Sequence, residues 1–188
     1  MYNNYKNKRK PIYDESLGLP PTEEQIEKME KQAKNVAYYW VDQAEKSRKE
    51  LFDKIKNKGI TDDIANELLD KMEELDYVND TRFAENFVYS KQQYDKLGKR
   101  AISFKLKTKG VAQDIIDTVL ADVVDEDEEE NARLLIERKL FGTRNLDDQK
   151  RLTRLASLLA RKGYSTSMAF RLVKEMIAED KIAEAEEE

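Results

Sequence analysis

Residues 47–69 (SRKELFDKIKNKGITDDIANELL), 98–120 (GKRAISFKLKTKGVAQDIIDTVL) and 151–173 (RLTRLASLLARKGYSTSMAFRLV) are versions of one pattern. Aligned on Gly59, Gly110 and Gly163, each has an apolar residue eight and four positions before the glycine: Leu51 and Ile55, Ile102 and Leu106, Leu155 and Leu159. A lysine always precedes the glycine. After it come an apolar residue (Ile60, Val111, Tyr164), another five beyond (Ile64, Ile115, Met168), and an apolar pair nine and ten beyond (Leu68 and Leu69, Val119 and Leu120, Leu172 and Val173). Spacing of three and four is that of one face of an α-helix, and a glycine at its end takes the left-handed conformation that stops it. The pattern therefore reads as a helix, a turn and a second helix, three times over.

Working outward, Thr22 to Gln25 reads as a capping box that opens a long amphipathic helix through Trp40 and Ala44, and Ser47 to Glu50 reads as a second box. Further helical stretches from Asp80 to about Tyr94 and from about Glu128 to Phe141 complete three three-helix units. The fold class expected is all-α, with three tandem three-helix repeats in an elongated arrangement, each burying part of its apolar face on a neighbour. The divisions expected are a disordered basic arm at 1–21, repeats at 22–76, 77–125 and 126–180, and an acidic tail at 181–188. Only 6 Gly and 3 Pro in 188 residues leave little punctuation for strands.

The composition excludes much chemistry. The chain has no cysteine and no histidine, so disulfides, thiolate metal sites, imidazole ligands and the commonest general base are absent. Its glycines are scattered singly, which leaves no phosphate-cradling loop. The acid run at 122–130 lacks the glycine and ligand spacing of a calcium loop and reads as a solvated segment. Neither a metal, a cofactor nor a catalytic group is expected. No stretch approaches the roughly 20 apolar residues of a membrane span, and the N-terminus lacks a signal-peptide core, so a cytoplasmic location is expected.

What remains is binding surface. A helix, glycine turn and helix also describes DNA-reading motifs, but the second helices of the first two repeats are acid-rich (Asp62, Asp63, Glu67, Asp70; Asp114, Asp117, Asp122), which opposes phosphate approach. Bases gather instead on the first helices of the second and third repeats. The candidate partner- or DNA-binding residues are Arg82, Lys91, Lys99, Arg100, Phe104, Lys107, Lys109, Arg151, Arg154, Arg161 and Lys162. Any single one of them also reads as an ordinary solvated side chain; their clustering is the functional signal.

Residues 77–84 (YVNDTRFA), followed by Gly98, Ile102 and the Leu106 to Val111 segment LKTKGV, resemble the central signature of the RecX regulatory proteins. The resemblance extends over roughly residues 30–178, with Asn79 and Lys105 departing from the family's usual acids. It implies an all-helical, three-repeat modulator, most often an inhibitor, of the RecA recombinase; a monomer is expected. Such a protein lodges in the groove of the RecA–DNA filament and restrains ATP hydrolysis, strand exchange and filament growth. The competing readings are an autonomous nucleic-acid-binding protein that sets its basic helix faces on phosphates, and an enzyme with an unrecognised carboxylate site.

Phe104 is out of pattern. On a helical wheel Ile102 and Leu106 face the core, while Arg100, Phe104 and Lys107 fall opposite, at about 100° per residue. The equivalent positions, Asp53 and Ser157, are polar. Either Phe104 packs under a neighbouring helix or the arm, or it is an aromatic anchor flanked by cations, a composition favoured at interface hot spots.

Overall fold

The computed structural model describes residues 12–187 apart from 15 and 17. The amino-terminal stretch 1–11, the greater part of the basic arm, lies outside the described residues. The described residues form α-helices with no strand, and they pack as two compact units, one ending at Asp80 and one beginning at Thr81.

The first unit contains α1 (Glu23–Gln43), α2 (Arg48–Lys56) and α3 (Asp62–Glu74). Both expected capping boxes are present: Thr22 and Gln25 exchange side-chain-to-backbone bonds at the start of α1, and Ser47 and Glu50 do so at the start of α2. Met29, Ala33 and Ala37, one turn apart on α1, meet Leu51 and Ile55 of α2 and Ala65, Leu69 and Met72 of α3 in a sealed core. Each fully buried Leu, Ile or Met contributes about 1.5–3 kcal/mol. Part of the expected arm belongs to this body. Ile12 and Tyr13 pack on the core, and the Gln25 side chain donates to the Ile12 carbonyl at 3.1 Å, because an apolar pair without a helix of its own still gains by covering a helical face.

The second unit holds two three-helix groups with separate cores. The first comprises α4 (Asp80–Gln93, whose first residue ends the preceding unit), α5 (Lys99–Thr108) and α6 (Gln113–Ala121) around Phe83, Val88, Ile102, Leu106 and Ile116. The second comprises α7 (Asp125–Leu140), a 3-10 turn (Phe141–Thr143), α8 (Asp148–Lys162) and α9 (Thr166–Glu187) around Ile136, Leu155, Leu159 and Leu172. The slots of the repeated pattern are occupied as expected: the residues eight and four before each glycine and the one after it are all buried, and Ile64, Ile115 and Met168 are half-buried. Gly59, Gly110 and Gly163 adopt φ of 76°, 81° and 92°, the left-handed stop that only glycine takes without penalty.

Two acid runs take part in the fold. α9 runs without a break through the stretch read as an acidic tail, because Glu184 pairs with Arg144 at 3.1 Å and Lys181 with Asp148 at 2.5 Å. The acid run at 122–130 is partly mortar. Starting at Asp125, it opens α7, where carboxylates complement the helix N-terminus. Glu128 is buried and accepts the Lys99 amide at 2.9 Å, and Glu129 bridges Arg133 and Arg171.

The two groups of the second unit meet through their backbones. The Gly98 amide donates to the Lys162 carbonyl at 2.9 Å and the Arg100 amide to the Gly163 carbonyl at 3.3 Å. A Cβ on Gly98 would lie 2.7 Å from the Gly163 carbonyl oxygen, and one on Gly163 would overlap Ala101. The start of α5 and the end of α8 cross closely because both positions lack a side chain. Tyr164 seals the crossing: its ring is buried, its hydroxyl donates to the Lys96 carbonyl at 3.1 Å, and burial drives its ionisation far above the ordinary tyrosine range.

Candidate functional site

Of the candidate binding residues, several belong to the scaffold. Arg151 is 2% exposed and paired with Asp180 in the core of the last group, so it is withdrawn as a contact residue. Helical position decides this: Arg151 lies one turn before Leu155 on the buried face of α8, and Asp180 of α9 supplies its counter-charge. Lys99 is engaged within the fold. Its ammonium meets Asp125 at 2.6 Å while its amide is held by Glu128. Lys91 pairs with Asp95 at 2.6 Å, and Lys162 donates to the Asp95 carbonyl at 2.8 Å. Lys109 lies over the rings of Phe83 and Phe87, 5.6 Å from each centroid, and Arg82 is half-buried and engaged in the fold.

The remaining candidates, Arg100, Phe104, Lys107, Arg154 and Arg161, are exposed, and no ion pair to the four cations is found among the described residues. Arg100, Phe104 and Lys107 occupy positions i, i+4 and i+7 of α5, one outward face opposite the buried Ile102 and Leu106. Phe104 is 68% exposed. It packs under no neighbouring helix among the described residues, and the greater part of the arm, the other cover expected for it, lies outside them. Arg154 and Arg161, seven apart, share an outward face of α8, and the Gly98–Gly163 crossing brings the Arg100 end of one stripe to the Arg161 end of the other. Two exposed cationic stripes, one of them carrying an exposed aromatic ring, thus start from one backbone-locked junction. Rigid presentation lowers the entropic cost of binding.

The signature stretch 77–84 has a different role. Asp80, first residue of α4, accepts the Arg48 amide at 2.8 Å and so caps α2, while the Arg48 guanidinium reaches Asp70 and Glu73 at 2.7 and 2.5 Å. Burial raises the Asp80 pKa despite that amide. Phe83 and Ala84 are core, and Asn79 bonds Asp76 at 2.9 Å. Glu128 repeats the arrangement by capping α5 from the start of α7. The motif is thus a folding device, in which an acid opening one helix caps another.

Sequence models of the first, second and third three-helix domains of RecX match residues 33–72, 79–120 and 126–173. The chain belongs to the RecX family. The regulatory protein RecX of Streptomyces lividans is 42% identical over 135 residues, covering 72% of each chain. That of Amycolatopsis mediterranei is 32% identical over 161 residues, covering 86% of this chain and 92% of its own. The crystal structure of RecX from Lactobacillus salivarius has the same fold, with a TM-score of 0.72 at 23% identity, covering 79% of this chain and 96% of that one. The Streptomyces and Amycolatopsis relatives are named as regulatory proteins. Each matched segment falls within one three-helix group, and no helix of the described residues is long and apolar enough to cross a membrane. Outside the predicted residues, exposed Lys105, Tyr89, Tyr94 and Phe141 also mark the surface of this unit. The aromatics escaped notice because single rings at helix ends carry no periodic signal.

Proposed function

We propose that this RecX family member binds the RecA–DNA filament and restrains it, inhibiting ATP hydrolysis, strand exchange and filament growth, with the α5–α8 surface as a principal contact. The observation that carries the choice of surface is Phe104, a bare ring between Arg100 and Lys107 on a helix whose core side is already complete. Aromatic and arginine side chains dominate binding hot spots, and a large ring held out in water has no folding purpose to explain it. Family membership supports RecA as the partner. Co-sedimentation with RecA assembled on single-stranded DNA tests the reading: the protein is expected to pellet with filaments and to slow their ATPase. Phe104→Ala is expected to keep its melting temperature and lose about 2 kcal/mol or more of filament affinity. A stable variant that binds and inhibits like the parent removes this surface from the contact.

The exposed cations Arg100, Lys107, Arg154 and Arg161, which have no ion pair among the described residues, also favour a second reading, direct binding to a DNA backbone. That binding would weaken by orders of magnitude between low and physiological salt in the absence of RecA, as several phosphate contacts require.

A further inference from the structure

Phe141 is 76% exposed, yet the turn that carries it is tied down on every side. The Arg144 amide donates to the Phe141 carbonyl at 3.2 Å, the Thr143 hydroxyl to the Leu140 carbonyl at 2.6 Å, and the Leu146 amide to the Thr143 carbonyl at 2.9 Å. The Arg144 guanidinium stacks 5.0 Å from the centre of the Phe141 ring while bonding Asp180 at 2.6 Å and Glu184 at 3.1 Å. Beneath it Arg151, buried, takes the other Asp180 oxygen and reaches the Thr143 hydroxyl at 3.4 Å. A largely buried arginine–aspartate–arginine network, with Arg144 only partly covered, is poorly explained as a source of stability, because well-packed apolar side chains do at least as well. Its distinctive effect here is geometric: five side chains from α8, α9 and the turn (Thr143, Arg144, Arg151, Asp180 and Glu184) surround the base of one exposed ring.

We propose that Phe141 is a second protein-docking anchor, presented by the Arg144–Asp180–Arg151 network to an apolar pocket with a mixed-charge rim on a RecA protomer. The inference rests on the filament reading above. A protein is favoured over a nucleic acid by the charges beside the ring. Glu137 stands one turn earlier on the same helical face, and Glu184 holds Arg144 from the other side. Two carboxylates beside two cations, Arg138 and Arg144, leave no net positive charge to draw phosphates to the ring, and this mixture suits the polar rim of a protein interface. Arg144 acts as a positioning residue, since its guanidinium covers one ring face and leaves the other open.

The test compares the full-length protein, Phe141→Ala, Arg144→Ala and the double variant for binding to RecA–single-strand filaments and, separately, to bare single-stranded DNA. Melting temperatures are measured alongside. Phe141→Ala is expected to melt like the parent and to bind filaments about 30-fold more weakly. Arg144→Ala is expected to weaken binding less, and the double variant no more than Phe141→Ala, because both act through one ring. Unchanged filament binding by Phe141→Ala, with the parent binding well, overturns the anchor while the filament reading stands. An equal loss on bare DNA overturns its assignment to a protein partner. A parent that does not bind filaments at all removes both the functional reading and this one.

Discussion

At the scale of single residues, the most constrained positions are small or buried ones. Gly98 begins α5 with ordinary backbone angles, so its identity follows from what a side chain would strike, namely the Gly163 carbonyl of the opposing backbone. Backbone cannot step aside as a flexible side chain can. Gly98→Ala is therefore expected to cost about 1–3 kcal/mol by overpacking, read as a lowered urea midpoint. A variant as stable as the parent would show that the crossing opens freely. Arg151 carries the opposite lesson. Its charge suggested a surface role, and its helical position placed it where only Asp180 makes that charge tolerable.

At the scale of elements, α9 is longer than its repeat requires, and its last turns are held by charge. Asp180 joins Arg144 and Arg151, and the Arg144 hydrogen bond foremost keeps its carboxyl below the ordinary aspartate value of 3.8. A carboxyl depressed in the folded state lends stability that is present above its unfolded pKa and disappears as pH falls through the depressed native value. Acid titration of the parent should accordingly show a loss of stability beginning below about pH 4 to which Asp180 contributes. In Asp180→Asn that contribution is expected to be absent, so the variant is less stable at neutral pH and falls less steeply in acid. Parallel curves for the two proteins would show that the pair contributes nothing to the pH dependence.

At the scale of the whole molecule, the chain has three cores but two compact units. The first unit closes on Met29, Leu51, Ile55 and Leu69 within itself, with Asp80 as its final cap. A fragment of residues 12–80 and one of residues 81–188 are each expected to give a helical circular dichroism spectrum and a cooperative thermal transition. Residues 126–187 alone, stripped of the Gly98 and Lys99 contacts that cover Gly163 and Glu128, are expected to melt lower than the 81–188 fragment. Equal melting of those two would mean that the crossing adds no stability.

The all-helical, three-repeat fold was legible in the sequence because its causes are local. Capping boxes at Thr22 and Ser47, left-handed glycines at 59, 110 and 163, and apolar residues four apart act within a turn or two of the chain. The outward stripe of Arg100, Phe104 and Lys107 was legible for the same reason, since a helical wheel needs only neighbours. Tertiary structure alone decided which cations remain available: Lys99, Lys162 and Arg151 find partners 26, 67 and 29 residues away, distances over which periodicity is silent. It also decided that Phe104 is exposed, that Asp80 and Glu128 cap distant helices, and that Phe141 is held out on an ion network. Each of these depends on which backbone comes near which. Here that was settled by the absence of side chains at Gly98 and Gly163 and by the need of buried charges for one another.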